Sequence, residues 1–140
     1  MRQVSWRLWG VFLVAGIGLP GTAGEVVSPV AVEGRVSADV LNVRAAPGTT
    51  FEVVAKLARD DVVQIVGRRA QWYEIRIPVG AEAWCAVRLL DDEGRAAADG
   101  VRVRSGPGVV FSPYAELPAG ATVKTIGAAQ RGWQRIVPPA

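Results

Sequence analysis

From residue 34 onward, apolar and polar positions alternate in short runs. Leu41-Asn42-Val43-Arg44 and Val101-Arg102-Val103-Arg104 each place an apolar residue at every second position, the period of a strand with one face buried. Residues 53–57 predict a second strand. Val63 and Ile65 face inward around an outward Gln64, as Val123 and Thr125 do around Lys124. Residues 72–77 predict a further strand, and residues 83–87 (AWCAV) a strand that closes the set. No stretch sustains a helical period, so helix is confined to a turn near Arg88, Leu89 and Leu90. Pro47-Gly48 and Pro107-Gly108 are turn dipeptides. Arg59-Asp60-Asp61 turns the chain where Ala119-Gly120-Ala121 does so later. Gly120 marks a left-handed backbone position, and Asp60 in the matching place is among the few residues that tolerate one.

These runs are built twice. Residues 34–57 (GRVSADVLNVRAAPGTTFEVVAKL) align without a gap on residues 94–117 (GRAAADGVRVRSGPGVVFSPYAEL). Gly34, Arg35, Val43, Arg44, Pro47, Gly48, Phe51 and Leu57 recur sixty positions later as Gly94, Arg95, Val103, Arg104, Pro107, Gly108, Phe111 and Leu117. The offset persists at Val63 and Val123 and at Gly67 and Gly127, then becomes sixty-one at Trp72 and Trp133 and at Ile75 and Ile136. The added residue falls in a loop, where insertions are tolerated. About five short strands in under sixty residues suit a small, curved, closed β-barrel. The expected architecture is all-β: two small barrels in tandem, residues 34–91 and 92–140, each marginally stable alone. Sixteen glycines and nine prolines in 140 residues fit short strands joined by tight turns.

The first twenty-four residues read as an address. Arg2 and Arg7 form a positive start, residues 8–19 (LWGVFLVAGIGL) are an uncharged, mostly apolar run, and Thr22-Ala23-Gly24 supplies small residues before Glu25. This is the layout of a secretory signal peptide, with cleavage after Ala23 or Gly24 and a short tail over residues 25–33. The competing reading is an uncleaved membrane anchor, for which twelve residues fall short of the roughly 20 a spanning helix needs. Export to the periplasm or beyond the cell is expected, with no stable membrane span after cleavage.

Charge and chemistry narrow the function. The chain carries sixteen cations and thirteen anions. Loss of Arg2 and Arg7 leaves fourteen against thirteen, well mixed along the sequence. Nucleic-acid binders concentrate positive charge, so no nucleic-acid partner is expected. There is no histidine, and Cys85 is the sole cysteine. The commonest general base and metal ligand is therefore missing, no disulfide can form within the chain, and Cys85 lacks the base that would activate it. Cys85 reads as core. Asp60-Asp61 and Asp91-Asp92-Glu93 lack the spaced oxygen ligands of a calcium loop and read as a solvated turn and a linker. The chain is expected not to be an enzyme, with no catalytic residue, no metal site and no cofactor.

Leu41-Asn42-Val43-Arg44-Ala45-Ala46-Pro47-Gly48, the tryptophan-led strand Trp72-Tyr73-Glu74-Ile75 and the later Ala83-Trp84-Cys85 resemble the bacterial SH3-like (SH3b) domain family. The resemblance covers residues 34–90 well and residues 94–137 in part. Ala83 stands where the family has glycine and Cys85 where it has valine, while Val101-Arg102 replaces leucine-asparagine in the second copy. The second copy also stops before any counterpart of residues 83–90, so it is expected to lack its last strand. Three arrangements meet that open edge. Residues 26–32 fill it, although Pro29 limits their pairing; another molecule fills it by strand addition, giving a homodimer where that molecule is a second copy; or the copy is poorly folded. The resemblance implies binding rather than catalysis, with a cell-wall polymer (peptidoglycan) or another envelope protein as partner. The alternative to wall binding is an adaptor that docks peptide segments or a partner's strand edge.

The candidate ligand-contacting residues are Asn42, Arg44, Trp72, Tyr73, Trp84, Arg104 and Trp133. Strict alternation puts Trp72 opposite Tyr73, Ile75 and Ile77. It is then either an outward platform for a sugar or peptide, or a core residue turned inward by a bulge; the second is preferred because large aromatics dominate small cores. Arg44 has a forked donor set suited to a wall-peptide carboxylate. Its recurrence as Arg104, where Asn42 does not recur, favours a stem packed on the barrel with its head tied to a loop carbonyl.

Overall fold

The computed structural model describes the backbone at residues 11–14 and 17–18 and the chain over residues 32–139. In chain order the strands are β1 (Val11–Val14), β2 (Ile17–Gly18), β3 (Val32–Val36), β4 (Val40–Arg44), β5 (Val53–Ala58), β6 (Val62–Arg69), β7 (Trp72–Ile75), β8 (Trp84–Ala86), β9 (Val101–Arg104), β10 (Pro113–Leu117) and β11 (Trp133–Arg135). A single 3-10 turn over Val87–Leu89 is the only helical element among the described residues. The protein is all-β, and every ladder is antiparallel. One sheet runs β2-β3-β6-β7-β1-β4-β5 and the other β10-β9-β8-β11. The proposed cleavage point and most of residues 1–31 lie outside the described residues.

The repeat is visible in the packing. Val43 and Val103 are both fully buried, and so are Ile75 and Ile136. The left-handed turn occurs in both copies, with φ of 72° at Asp60 and 79° at Gly120. Asp39 and Asp99, again sixty apart, tie down these turns. Asp39 Oδ1 accepts from Arg59 Nε at 2.9 Å, and Asp99 Oδ1 from the Ala119 N–H at 2.8 Å. Val54 and Tyr114 fill equivalent buried positions, and one continuous apolar cluster runs from Val36 through Cys85 to Ile136.

Two expectations are corrected. First, residues 83–87 do not close the first copy. Trp84 pairs with Arg104 of β9, while Trp84, Cys85 and Ala86 pair with Arg135, Gln134 and Trp133 of β11. The strand expected to be missing from the second copy is therefore supplied by the end of the first, and the edge invoked for a homodimer is filled. Charge gives a physical reason. The Glu82 carboxylate meets the Arg135 guanidinium at 2.9 Å; at the matching place in the first copy stands Glu74, of the same sign as Glu82. A partly exposed ion pair is worth about 1 kcal/mol at most, and a like-charge pair costs a similar amount. That difference favours the second slot. Second, Thr125 does not face inward. It is exposed, and residues 122–130 form only isolated bridges where the first copy has the eight-residue β6. In the first copy β3 pairs along β6 at four positions; the counterpart of β3 makes one bridge to the 122–130 segment, Arg95 to Thr122.

The shared core sets an expectation. Val43→Ala and Val103→Ala each remove a fully enclosed side chain and should cost about 2 kcal/mol. Urea unfolding followed by fluorescence should show one cooperative transition in both variants. Two separated transitions would mean that the copies unfold independently.

Candidate binding face

Residues opposed in an antiparallel ladder share a face, so the registers sort the candidates. Trp84 stands opposite Arg104 and Arg135, and Ala86 opposite Trp133. Trp84, Arg104 and Trp133 thus lie on the outer face of the second sheet, while Cys85 and Gln134 oppose each other on its buried face. In the first sheet, β1 lies between β4 and β7. Phe12 is opposite both Arg44 and Glu74, and Val14 is opposite Trp72. Asn42, Arg44 and Trp72 therefore share the corresponding outer face. Tyr73 points to the other side and packs against the core, with the Arg68 guanidinium carbon 5.6 Å from its ring centroid, a cation–π arrangement.

Trp72 is partly exposed and stands outside the core cluster. The irregularity in this hairpin falls between Ile65 and Gly67 on β6, not on β7. Strand β7 therefore keeps its alternation, and the expected inward turn does not occur. Trp84 lies on an outer face yet is 7% exposed, and its indole donates to Glu82 Oε2 at 3.0 Å. That makes it a strut rather than a platform. Trp133 is partly exposed and follows a two-residue turn, in which Arg131 and Gly132 have φ of 49° and 84°, as a tight hairpin of this hand requires.

The repeated arginines hold loops. Arg44 Nη1 donates to the Phe51 carbonyl at 2.8 Å. Arg104 Nη1 donates to the Phe111 carbonyl at 2.9 Å and the Val109 carbonyl at 3.2 Å. Each clamps the loop that follows the Pro-Gly turn, and Phe51 and Phe111 cover the glycines of that loop. Asn42 differs, because its Oδ1 is buried without a protein hydrogen-bond partner.

Sequence reasoning missed the residues that join the copies. Glu82 donates its N–H to the Val54 carbonyl at 2.8 Å, accepts the Tyr114 hydroxyl on its own carbonyl at 2.5 Å, and engages Trp84 and Arg135 through its carboxylate. Glu52 Oε1 accepts the Ser112 N–H at 3.3 Å across the same seam. Burial works to raise the Glu52 carboxyl, but hydrogen bonds from its own N–H and from Ser112 outweigh it and hold it below 4.5. Gln134, standing where the first copy has Tyr73, donates its amide to the carbonyls of Ile126, Gly127 and Arg135. Glu82 lies outside the aligned part of the repeat, so no sequence signal marked it; Asp39 and Asp99 were findable from their sixty-residue spacing.

Cys85 lies on the buried face of the second sheet. Burial pushes the Cys85 thiol up to about 11, which keeps it protonated and unreactive near neutral pH. Among the described residues, no three His, Cys, Asp or Glu side chains gather where they would hold a metal ion.

The class of domain is shown by comparison: residues 39–91 match the family model described as the bacterial SH3 domain, so the first copy is a bacterial SH3-like module. A curated relative is the protein of Bacillus subtilis (strain 168) named "Putative N-acetylmuramoyl-L-alanine amidase YrvJ", 24% identical over 117 residues. The match covers 74% of this chain and 22% of the relative, so the chain spans about a fifth of the length of that protein. No solved structure matches the chain.

Two outcomes follow from this geometry. Arg104→Ala removes a charged donor from two loop carbonyls and should destabilise by about 2 kcal/mol. Arg102→Ala, on an exposed neighbour, should stay within about 0.5 kcal/mol; equal losses in denaturant titrations would refute the clamp. Because the Glu52 carboxyl titrates lower when folded, its contribution is complete above its ordinary value of 4.5 and fades as pH falls through the folded value. Melting temperature between pH 7 and pH 3 should therefore drop more steeply for the parent chain than for Glu52→Gln. Parallel curves would show that the seam carboxylate does not contribute.

Proposed function

We propose that the chain is an exported, non-catalytic binding protein of the bacterial cell envelope that recognises peptidoglycan. The observation that carries the reading is the bacterial SH3 match over residues 39–91, in a chain aligned with a relative whose name denotes cleavage at N-acetylmuramoyl-L-alanine. That linkage joins sugar to peptide in the wall polymer. The alignment covers a fifth of the relative, in keeping with a targeting module rather than the amidase reaction itself. The absence of histidine and the protonated Cys85 thiol support a binding role.

The surface we assign to wall binding is the outer face of the first sheet. Trp72 offers a partly exposed ring on which a sugar or peptide plane can stack. Asn42 lies half-buried on the same face, with its Oδ1 turned out of solvent. Arg44 shapes the adjoining loop rather than gripping ligand, since its head is already bonded to Phe51. The second copy keeps the tryptophan as Trp133 but has Arg102 for Asn42, so the two faces differ in preference. The alternative reading, an adaptor that accepts a partner's strand, is favoured by the strand slot of the first sheet.

Purified chain should be retained on isolated sacculi at moderate salt. Trp72→Ala should lower retention about tenfold, the effect of losing about 1.4 kcal/mol at an aromatic hot spot, while leaving the melting temperature nearly unchanged. Absence of retention by the parent chain, or full retention by the variant, would refute this assignment.

A further inference from the structure

The two sheets contain the same slot, and different parts of the chain fill it. In the second sheet Trp84–Ala86 lies between β9 and β11, with Trp84 opposite Arg104 and Arg135, Cys85 opposite Gln134 and Ala86 opposite Trp133. In the first sheet Val11–Val14 lies between β4 and β7, with Phe12 opposite Arg44 and Glu74, Leu13 opposite Val43 and Tyr73, and Val14 opposite Trp72. By the repeat offsets, Phe12, Leu13 and Val14 stand at the register positions of Trp84, Cys85 and Ala86. The correspondence continues past the slot: Ile17 pairs with Val36 as Leu90 pairs with Ala96. The first slot is thus a complete strand-acceptor site. It takes a segment antiparallel to both neighbours that reads apolar, aromatic, apolar, apolar: Val-Phe-Leu-Val in one sheet and Ala-Trp-Cys-Ala in the other.

The occupant of the first slot lies within the segment whose sequence reads as a removable leader. We propose that, in the exported chain, the slot between β4 and β7 is a docking site for an extended segment of another envelope protein with that apolar-aromatic-apolar-apolar pattern. Main-chain hydrogen bonds to two strand edges hold the guest, and the alternate side chains select it. A second copy does not meet the need. Among the described residues each chain offers one closing strand, Trp84–Ala86, for two slots, so exchanging it between chains leaves one slot per chain unfilled. Residues 25–31 are poor guests because Pro29 cannot donate to a ladder. The site uses the strand edges of β4 and β7, whereas wall recognition is assigned to the outer face of the same sheet.

The test uses the chain recovered after export, with its mass establishing that the leader has gone. The probe is a fluorescent peptide in which Val-Phe-Leu-Val is flanked by lysines for solubility, followed by anisotropy. Saturable one-to-one binding is expected. It should weaken at least tenfold when alternate backbone nitrogens of the peptide are methylated, and at least tenfold for the full-length chain that retains residues 11–14. Equal binding of the methylated peptide, equal binding by the full-length chain, or no binding would overturn the proposal. A chain that keeps its leader after export, or a stable dimer that excludes the peptide, would overturn it as well. Sacculus retention measured in parallel reads the wall-binding assignment separately, since neither result requires the other.

Discussion

The structure depends on where one short strand goes. Trp84–Ala86 leaves the first copy and completes the second, and Glu82 fixes that crossing from three sides. Its N–H holds β5 through Val54, its carbonyl takes the Tyr114 hydroxyl from β10, and its carboxylate meets Trp84 and Arg135. None of these contacts is strong alone. A neutral hydrogen bond is worth about 1 kcal/mol net, and a partly exposed ion pair at most about as much. Their force comes from convergence on one residue: a different destination for the strand would forfeit them together. Burial of Cys85 in the common core adds the apolar share.

This arrangement turns a symmetric repeat into an asymmetric molecule. Arg44 and Arg104 clamp matching loops, Asp39 and Asp99 hold matching turns, and Val43 and Val103 fill matching core positions. These are the parts in which duplication is preserved. Divergence is concentrated around the slot: Glu74 against Arg135, and Tyr73 against Gln134. Tyr73 fills its position with a ring packed on the core, whereas Gln134 directs its amide to the loop carbonyls of Ile126 and Gly127 and to the carbonyl of its strand neighbour Arg135. The second copy therefore anchors its irregular 122–130 segment through a side chain, where the first uses the paired strands β3 and β6.

Most of the fold was legible because two-residue alternation, Pro-Gly turns and a sixty-residue offset all describe local or repeated structure. Asp60 was readable as left-handed from the glycine in its counterpart, and the arginines as clamps from their recurrence beside the loop. Three things were not legible. The crossing of Trp84–Ala86 was hidden because both slots are flanked by strands of the repeat, and what separates them is a contact between Glu82 and a residue more than fifty positions away. The outward Trp72 was misjudged because the bulge that breaks the hairpin lies on β6, where nothing in the sequence of β7 announces it. Thr125 alternates correctly but lacks a full strand beside it, and alternation without a partner does not bury a residue.

The slot and the outer face of the first sheet are mechanically joined. With a strand between them, β4 and β7 stand two strand spacings apart, about 9.6 Å, which sets the separation of Asn42 and Trp72. Without one, nothing in the ladder fixes that distance. Any ligand that touches both residues therefore senses whether the slot is filled, and by linkage a guest strand senses the ligand to the same degree. The coupling needs no signalling element beyond the sheet, because the guest strand is part of the scaffold on which the face is built. Arg44 strengthens it: the residue is opposite the guest on one side and tied to the Phe51 carbonyl on the other, so the loop beside the face follows the strand edge rather than moving on its own.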